Sequence, residues 1–177
     1  MDGLFHVVFS FIAGLAADLH RRHTFLGLLA LAIIAEGIDL DHFFGMSTRG
    51  TFHNVFIVVL LPLAAFLVLL ELEKNSSKMK EWVLIIMIMM IGHVTVDMFE
   101  GDPVKLFYPI SDQGFTYSFS VDFFGTRPVS TPGILLSIYA LILFLVIFVE
   151  DIVYYAQDRH ESVKKAFRDS MNDLFWK

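Results

Sequence analysis

Apolar residues run along this chain in long blocks separated by short polar connections. Three blocks approach or reach the length of about 20 residues that a helix needs to cross a bilayer. Residues 52–72 read FHNVFIVVLLPLAAFLVLLEL, with Pro62 expected to kink the helix. Residues 82–99 stay apolar until His93 and Asp97, and residues 132–155 open on a proline, which suits a first helical turn. Two shorter blocks precede these, at 4–19 and 24–38. Each spans roughly 22 Å as a helix, against a hydrocarbon core of about 30 Å. They read as two spans extended into the interface or, alternatively, as a re-entrant hairpin. A signal peptide is disfavoured, because no basic stretch precedes the first block and no small-residue cleavage pattern precedes Arg21.

Five spans sort the charges. Every Lys and Arg except Arg49, Lys105 and Arg127 then falls on one side. The positive-inside rule makes that side cytoplasmic, with the N-terminus outside and the C-terminus inside. In the longest polar connection, 100–131, Phe115, Tyr117, Phe119, Val121 and Phe123 alternate with polar residues. That period of two predicts a short extended segment, placed in the outer interface as a hairpin or lid. The expected architecture is an all-α integral membrane protein. Residues 1–158 form one membrane-embedded domain, and 159–177 form a charged, helical cytoplasmic tail.

Composition sharpens this picture. The 177 residues are 56% hydrophobic and 18% charged, against about 25% charged in ordinary soluble domains. The absence of cysteine excludes disulfides, thiolate metal sites and Cys nucleophiles. A net charge of −6 gives no footprint for nucleic acid. The partner it points to is membrane lipid, as environment and as substrate.

Ionisable residues in membrane segments are costly and mark function. Here they gather at the outer ends of the spans. They are His6, Glu36, Asp39, Asp41, His42, Arg49, His53, His93, Asp97 and Glu100. His93 and Asp97, four apart, share a helix face, as do Asp39 and His42, three apart. Imidazole with carboxylate and no thiolate suits Zn²⁺, and also Mn²⁺ or Fe²⁺. Bland alternatives exist for each: Asp39 and Asp41 as helix caps or partners of Arg49, Arg49 as an interfacial anchor, single His residues as interfacial polar groups. His20, His23 and His160 fall on the cytoplasmic side and read as juxtamembrane residues.

An early His6, then Asp39-Leu40-Asp41-His42, Arg49-Gly50-Thr51-Phe52-His53, Gly92-His93, Asp97-Met98, Gly101 and Phe107-Tyr108-Pro109 occur in this order. At these residues the chain resembles the YdjM-like family of membrane-bound, metal-dependent hydrolases, described as LexA-regulated. It departs from the family pattern at Thr48, where a His is common. A more distant similarity is to the α-helical zinc phospholipase C and P1-type nuclease group, which also uses His-x₃-Asp on a helix. No second such motif follows Asp97, so one or two ions are expected rather than three.

The resulting expectation is a membrane-embedded hydrolase facing outward and cutting a phospholipid or another lipid phosphate ester. His6, Asp39, Asp41, His42, His53, His93 and Asp97 are the expected metal ligands. Glu100 is the expected general base or an extra ligand, Arg49 the phosphate clamp, and Asp41 a further catalytic carboxylate. The competing readings are a metal or proton transporter and a non-catalytic membrane protein with a structural metal.

Overall fold

A computed structural model describes residues 3–17, 19, 23–43, 49–72, 77–99, 103–117, 131–158 and 162–176. Among the described residues seven α-helices carry the fold: α1 (Gly3–Ala16), α2 (Phe25–Ala35), α3 (Leu40–Phe43), α4 (Leu61–Leu72), α5 (Ser77–Phe99), α6 (Thr131–Asp158) and α7 (Val163–Trp176). No β-strand occurs among the described residues. The central layer is α2 against α5, flanked by α1 and α4; α6 packs on α1, and α7 on α6.

Helix α2 begins where Thr24 caps it, its Oγ1 accepting the Gly27 N–H at 3.0 Å. It ends earlier than the apolar run. Glu36–Asp39 tighten into a 3₁₀ turn that leads into α3. A 3₁₀ turn eclipses side chains three apart, so Glu36 and Asp39 project from one edge of it. Before α4, Phe56–Leu60 form a π-helical turn, with the Leu61 N–H bonded to the Phe56 carbonyl. Pro62 explains the position. It has no N–H to donate and would crowd the Val58 carbonyl in a regular helix, so the chain widens in the turn just before it.

The core holds Leu15 of α1, Leu28, Leu31, Ala32 and Ala35 of α2, and Ile85, Met89, Met90 and Val94 of α5. Gly14 lets α1 approach closely, since a Cβ there would sit 3.3 Å from Met89 Cε. Outward faces are apolar too: Leu67, Val68 and Leu72 of α4 and Ile142, Leu145, Val146 and Val149 of α6 are exposed. Helices covering Lys78–Phe99 and Ile138–Gln157 are long and apolar enough to cross a membrane, while Leu4–Ala16 and Phe56–Leu72 are shorter apolar helices.

After α5 the chain makes an antiparallel bridge, with Val104 and Phe115 exchanging N–H···O bonds of 2.9 Å each way. Lys105 N–H bonds to Arg49 O at 2.8 Å and Tyr117 N–H to Met98 O at 2.7 Å. This turn therefore ties the Arg49 loop to the end of α5. The rest of the expected extended segment, 118–123, lies outside the described residues. Helix α7 buries Ala166, Ser170 and Leu174, spaced four apart. It sets Phe175 against Phe25 and Phe167 against Phe148. Tyr155 of α6 donates its hydroxyl to Asp173.

Candidate metal centre

Five stretches of chain converge at one end of the bundle. Helix α1 brings His6, the 3₁₀ turn brings Glu36 and Asp39, and α3 brings Asp41 and His42. The loop before the π turn brings Arg49 and His53, and the last turns of α5 bring His93 and Asp97. The loop is held by Asn54, whose amide donates to Gly50 O at 2.9 Å and Thr51 O at 2.8 Å and whose Oδ1 accepts from Ile57 N at 3.1 Å. Those bonds fix the residue next to His53.

The four innermost groups are Asp39, His53, His93 and Asp97. His53 Nε2 lies 2.9 Å from Asp39 Oδ1 and 3.2 Å from Asp97 Oδ2. His93 Nε2 lies 3.2 Å from Asp39 Oδ1 and 3.4 Å from Asp97 Oδ2. Donors bound tetrahedrally to a zinc-sized ion are about 3.3 Å from one another, from bond lengths near 2.0–2.1 Å. The four distances bracket that edge.

Proton placement gives the same answer. His53 Nδ1 is 3.2 Å from Asp41 Oδ2, and His93 Nδ1 is 3.1 Å from Glu36 Oε2. In each neutral imidazole the single proton belongs on the nitrogen facing its carboxylate. The two Nε2 atoms then turn lone pairs toward carboxylate oxygens. His93 Nε2 and Asp97 Oδ2 are buried and make no hydrogen bond despite their proximity. Facing lone pairs repel unless a cation lies between them. Among the described residues four carboxylates, Glu36, Asp39, Asp41 and Asp97, gather in the cluster with one guanidinium, that of Arg49, set against Asp97. Such buried negative charge is strongly unfavourable without a positive partner. In the metal-free cluster, burial pushes the Asp39 carboxyl up, but His53 and His93, once each carries a second proton on Nε2, outweigh it and hold the group well below the usual carboxylate range.

The donor set fits a divalent metal, and the remaining groups hold the donors in place. Asp41 is fully buried; besides His53, its Oδ2 accepts the Phe52 N–H at 3.2 Å. It thus supports His53 from behind, as carboxylates behind metal-binding imidazoles do. His6, an expected ligand, instead sets its Nε2 3.3 Å from Asp97 Oδ1, the oxygen turned away from the quartet, and stacks on His93 with centroids 3.9 Å apart. Arg49 Nη2 is 3.6 Å from that same oxygen, and Nη1 donates to the Asp97 carbonyl at 3.4 Å. Its φ of 55° is a left-handed conformation that costs a non-glycine residue energy. The bland pairing of Arg49 with Asp39 or Asp41 is replaced by one with Asp97. His42 stands at the outer edge, 40% exposed. Glu100 lies outside the described residues. Glu36 stands among the ionisable residues that the sequence gathers at the span ends but has no assigned role there; the structure sets it behind His93.

The family model for the YdjM inner membrane protein matches residues 1–157. The chain belongs to that family. Its membrane location follows from the family and from the apolar helices. No curated protein and no solved structure matches the chain. The YdjM family description carries no activity, so the chemistry must be argued from the His and Asp cluster.

Proposed function

We propose that this YdjM-family protein is a multi-pass, metal-dependent hydrolase acting on a phospholipid or another lipid phosphate ester at the extracytoplasmic interface. The observation that carries the reading is the buried set of two Nε2 and two carboxylate oxygens, each imidazole backed by its own carboxylate. Asp39, His53, His93 and Asp97 would hold the ion, with Zn²⁺ favoured and Mn²⁺ or Fe²⁺ compatible. A divalent ion there would supply Lewis acidity toward a phosphoryl oxygen. Glu36 and Asp41 fix the tautomers, and His6 and Arg49 hold Asp97 from its far oxygen. Arg49 also places a cation next to the centre, suited to a phosphate. In the reaction, water adds its oxygen to phosphorus, the ester P–O bond breaks, and the alcohol leaves with the water's proton.

A lipid substrate is supported by exposed Leu4 and Leu40, which border the site residues on α1 and α3. The topology we propose has α1, α2, α4 with its π turn, α5 and α6 as five spans. The N-terminus and the metal centre are outside, and the basic C-terminal segment is inside, as the positive-inside rule requires.

The test uses the purified full chain in mixed micelles with phosphatidic acid and glycerophospholipids. Hydrolysis should disappear with EDTA and return with Zn²⁺ or Mn²⁺. Activity that survives chelation, or that persists in folded His93→Ala protein, overturns the reading. One observation favours a second reading, a structural metal: all four positions of the quartet are supplied by protein, whereas catalytic zinc usually keeps a position open. That reading expects a chelation-resistant ion and no hydrolysis of any of these lipids.

A further inference from the structure

The quartet leaves part of the cluster unexplained. Asp41 is fully buried, yet only its Oδ2 is used; its Oδ1 has no hydrogen-bond partner. A fully buried carboxylate oxygen without a partner is strongly disfavoured. His42 Nε2 lies 3.5 Å from this Oδ1, without a hydrogen bond. That same His42 nitrogen is 3.7 Å from Asp39 Oδ1, the oxygen that already touches both inner imidazoles. Asp39 therefore stands between a buried nest and an exposed one. In the inner nest His53 and His93 are at most 1% exposed, whereas His42 is 40% exposed.

Resting on the metal reading above, we propose that the centre is dinuclear. A second, outer divalent cation is held by Asp41 Oδ1 and His42 Nε2, with the Asp39 carboxylate shared between the two ions. One imidazole with two carboxylates suits Mn²⁺, Fe²⁺ or Zn²⁺. Three protein ligands at an exposed edge leave coordination positions for water or a phosphate oxygen, which the inner quartet does not. Charge points the same way. With one divalent ion and Arg49, four carboxylates still leave the cluster negative, and a second cation offsets the remainder.

The experiment counts metal rather than turnover. Full-length protein in detergent is stripped with chelator, loaded with Mn²⁺, desalted, and read by elemental analysis and EPR. Wild type should carry two Mn²⁺ per chain with an exchange-coupled spectrum. His42→Ala and the near-isosteric His42→Asn should each carry one, with an isolated six-line signal. His42 is exposed, so both variants keep the fold. A single uncoupled Mn²⁺ in wild type, unchanged in both variants, overturns the outer site and leaves the inner one standing. Two ions retained in both variants also overturn it. No Mn²⁺ in folded wild type overturns the metal reading itself.

Discussion

The two ends of the helix bundle each bury a histidine next to a carboxylate, but only at one of them do the acceptors outnumber the donors among the described residues. At the far end His23 is buried between α2 and α5. Its Nδ1 accepts the Trp82 indole N–H at 3.2 Å, and its Nε2 faces Glu81 Oε1 at 3.3 Å. The indole takes the Nδ1 lone pair, so the proton of a neutral ring sits on Nε2 and faces the Glu81 carboxylate. Nε2 is buried and makes no hydrogen bond, but no lone pairs face one another here. At the metal end the acceptors outnumber the donors. Both His53 and His93 give their only proton to a carboxylate behind them, and their other nitrogens face Asp39 and Asp97. A buried His alone is therefore a poor sign of a metal; the balance of donors and acceptors around it is the informative quantity.

Removing a member of the quartet should separate the ends most sharply. Asp97→Ala deletes the oxygen near both inner imidazoles and the anchor of Arg49 and His6. We expect the inner ion to be lost, with metal content below a tenth of wild type at micromolar free Zn²⁺, and lipid hydrolysis lost with it. Elemental analysis of folded protein checks this. Retention of stoichiometric metal would place the ion elsewhere.

The next effect acts one layer out. Glu36→Gln and Asp41→Asn keep shape but weaken the acceptor behind His93 or His53. Metal affinity should fall about 10–100-fold in each, as typical for such orienting carboxylates. Competition titration against a chromogenic chelator reads the change. Equal affinities in wild type and Glu36→Gln would contradict the proton placement assigned to His93.

These two layers were not equally legible in the sequence. His93 and Asp97 were readable because a spacing of four residues fixes a shared face in any helix. Asp39, His42 and His53 followed from their order along the chain and the resemblance it carried. Glu36 behind His93, and His6 on the far oxygen of Asp97, depend on which helices pack together, and no local pattern encodes that. The same limit governs the fold. Pro62 announced an irregular helix, but widening into a π turn rather than bending depends on how α4 packs. The early end of α2 at Ala35 came from a 3₁₀ turn inside an apolar run, where hydrophobicity gives no stop signal.

Acidity should touch the metal end in a definite direction. The Asp39 carboxyl is held below its ordinary value, so its ionised form stabilises the fold. That contribution is complete above the unfolded carboxylate value near 4 and is lost as pH falls below it. In metal-free protein, wild type should therefore lose stability below about pH 4 more steeply than Asp39→Asn. Chemical denaturation at a series of pH values measures the two slopes, and parallel slopes would remove Asp39 from the account.

The smallest effect belongs to the far end. Trp82→Phe removes the indole donor to His23 but keeps an aromatic ring on a half-exposed surface. The loss should be on the order of 1 kcal/mol, the net worth of one hydrogen bond. The His23 ring can then turn or recruit water, because no lone pairs are forced together at this end. Metal content and lipid hydrolysis should stay at wild-type levels, since α5 carries His93 about three helical turns further along. A fall in metal content with only this small loss of stability would mean that the two ends are coupled through α5, and that the far histidine belongs to the same functional unit as the quartet.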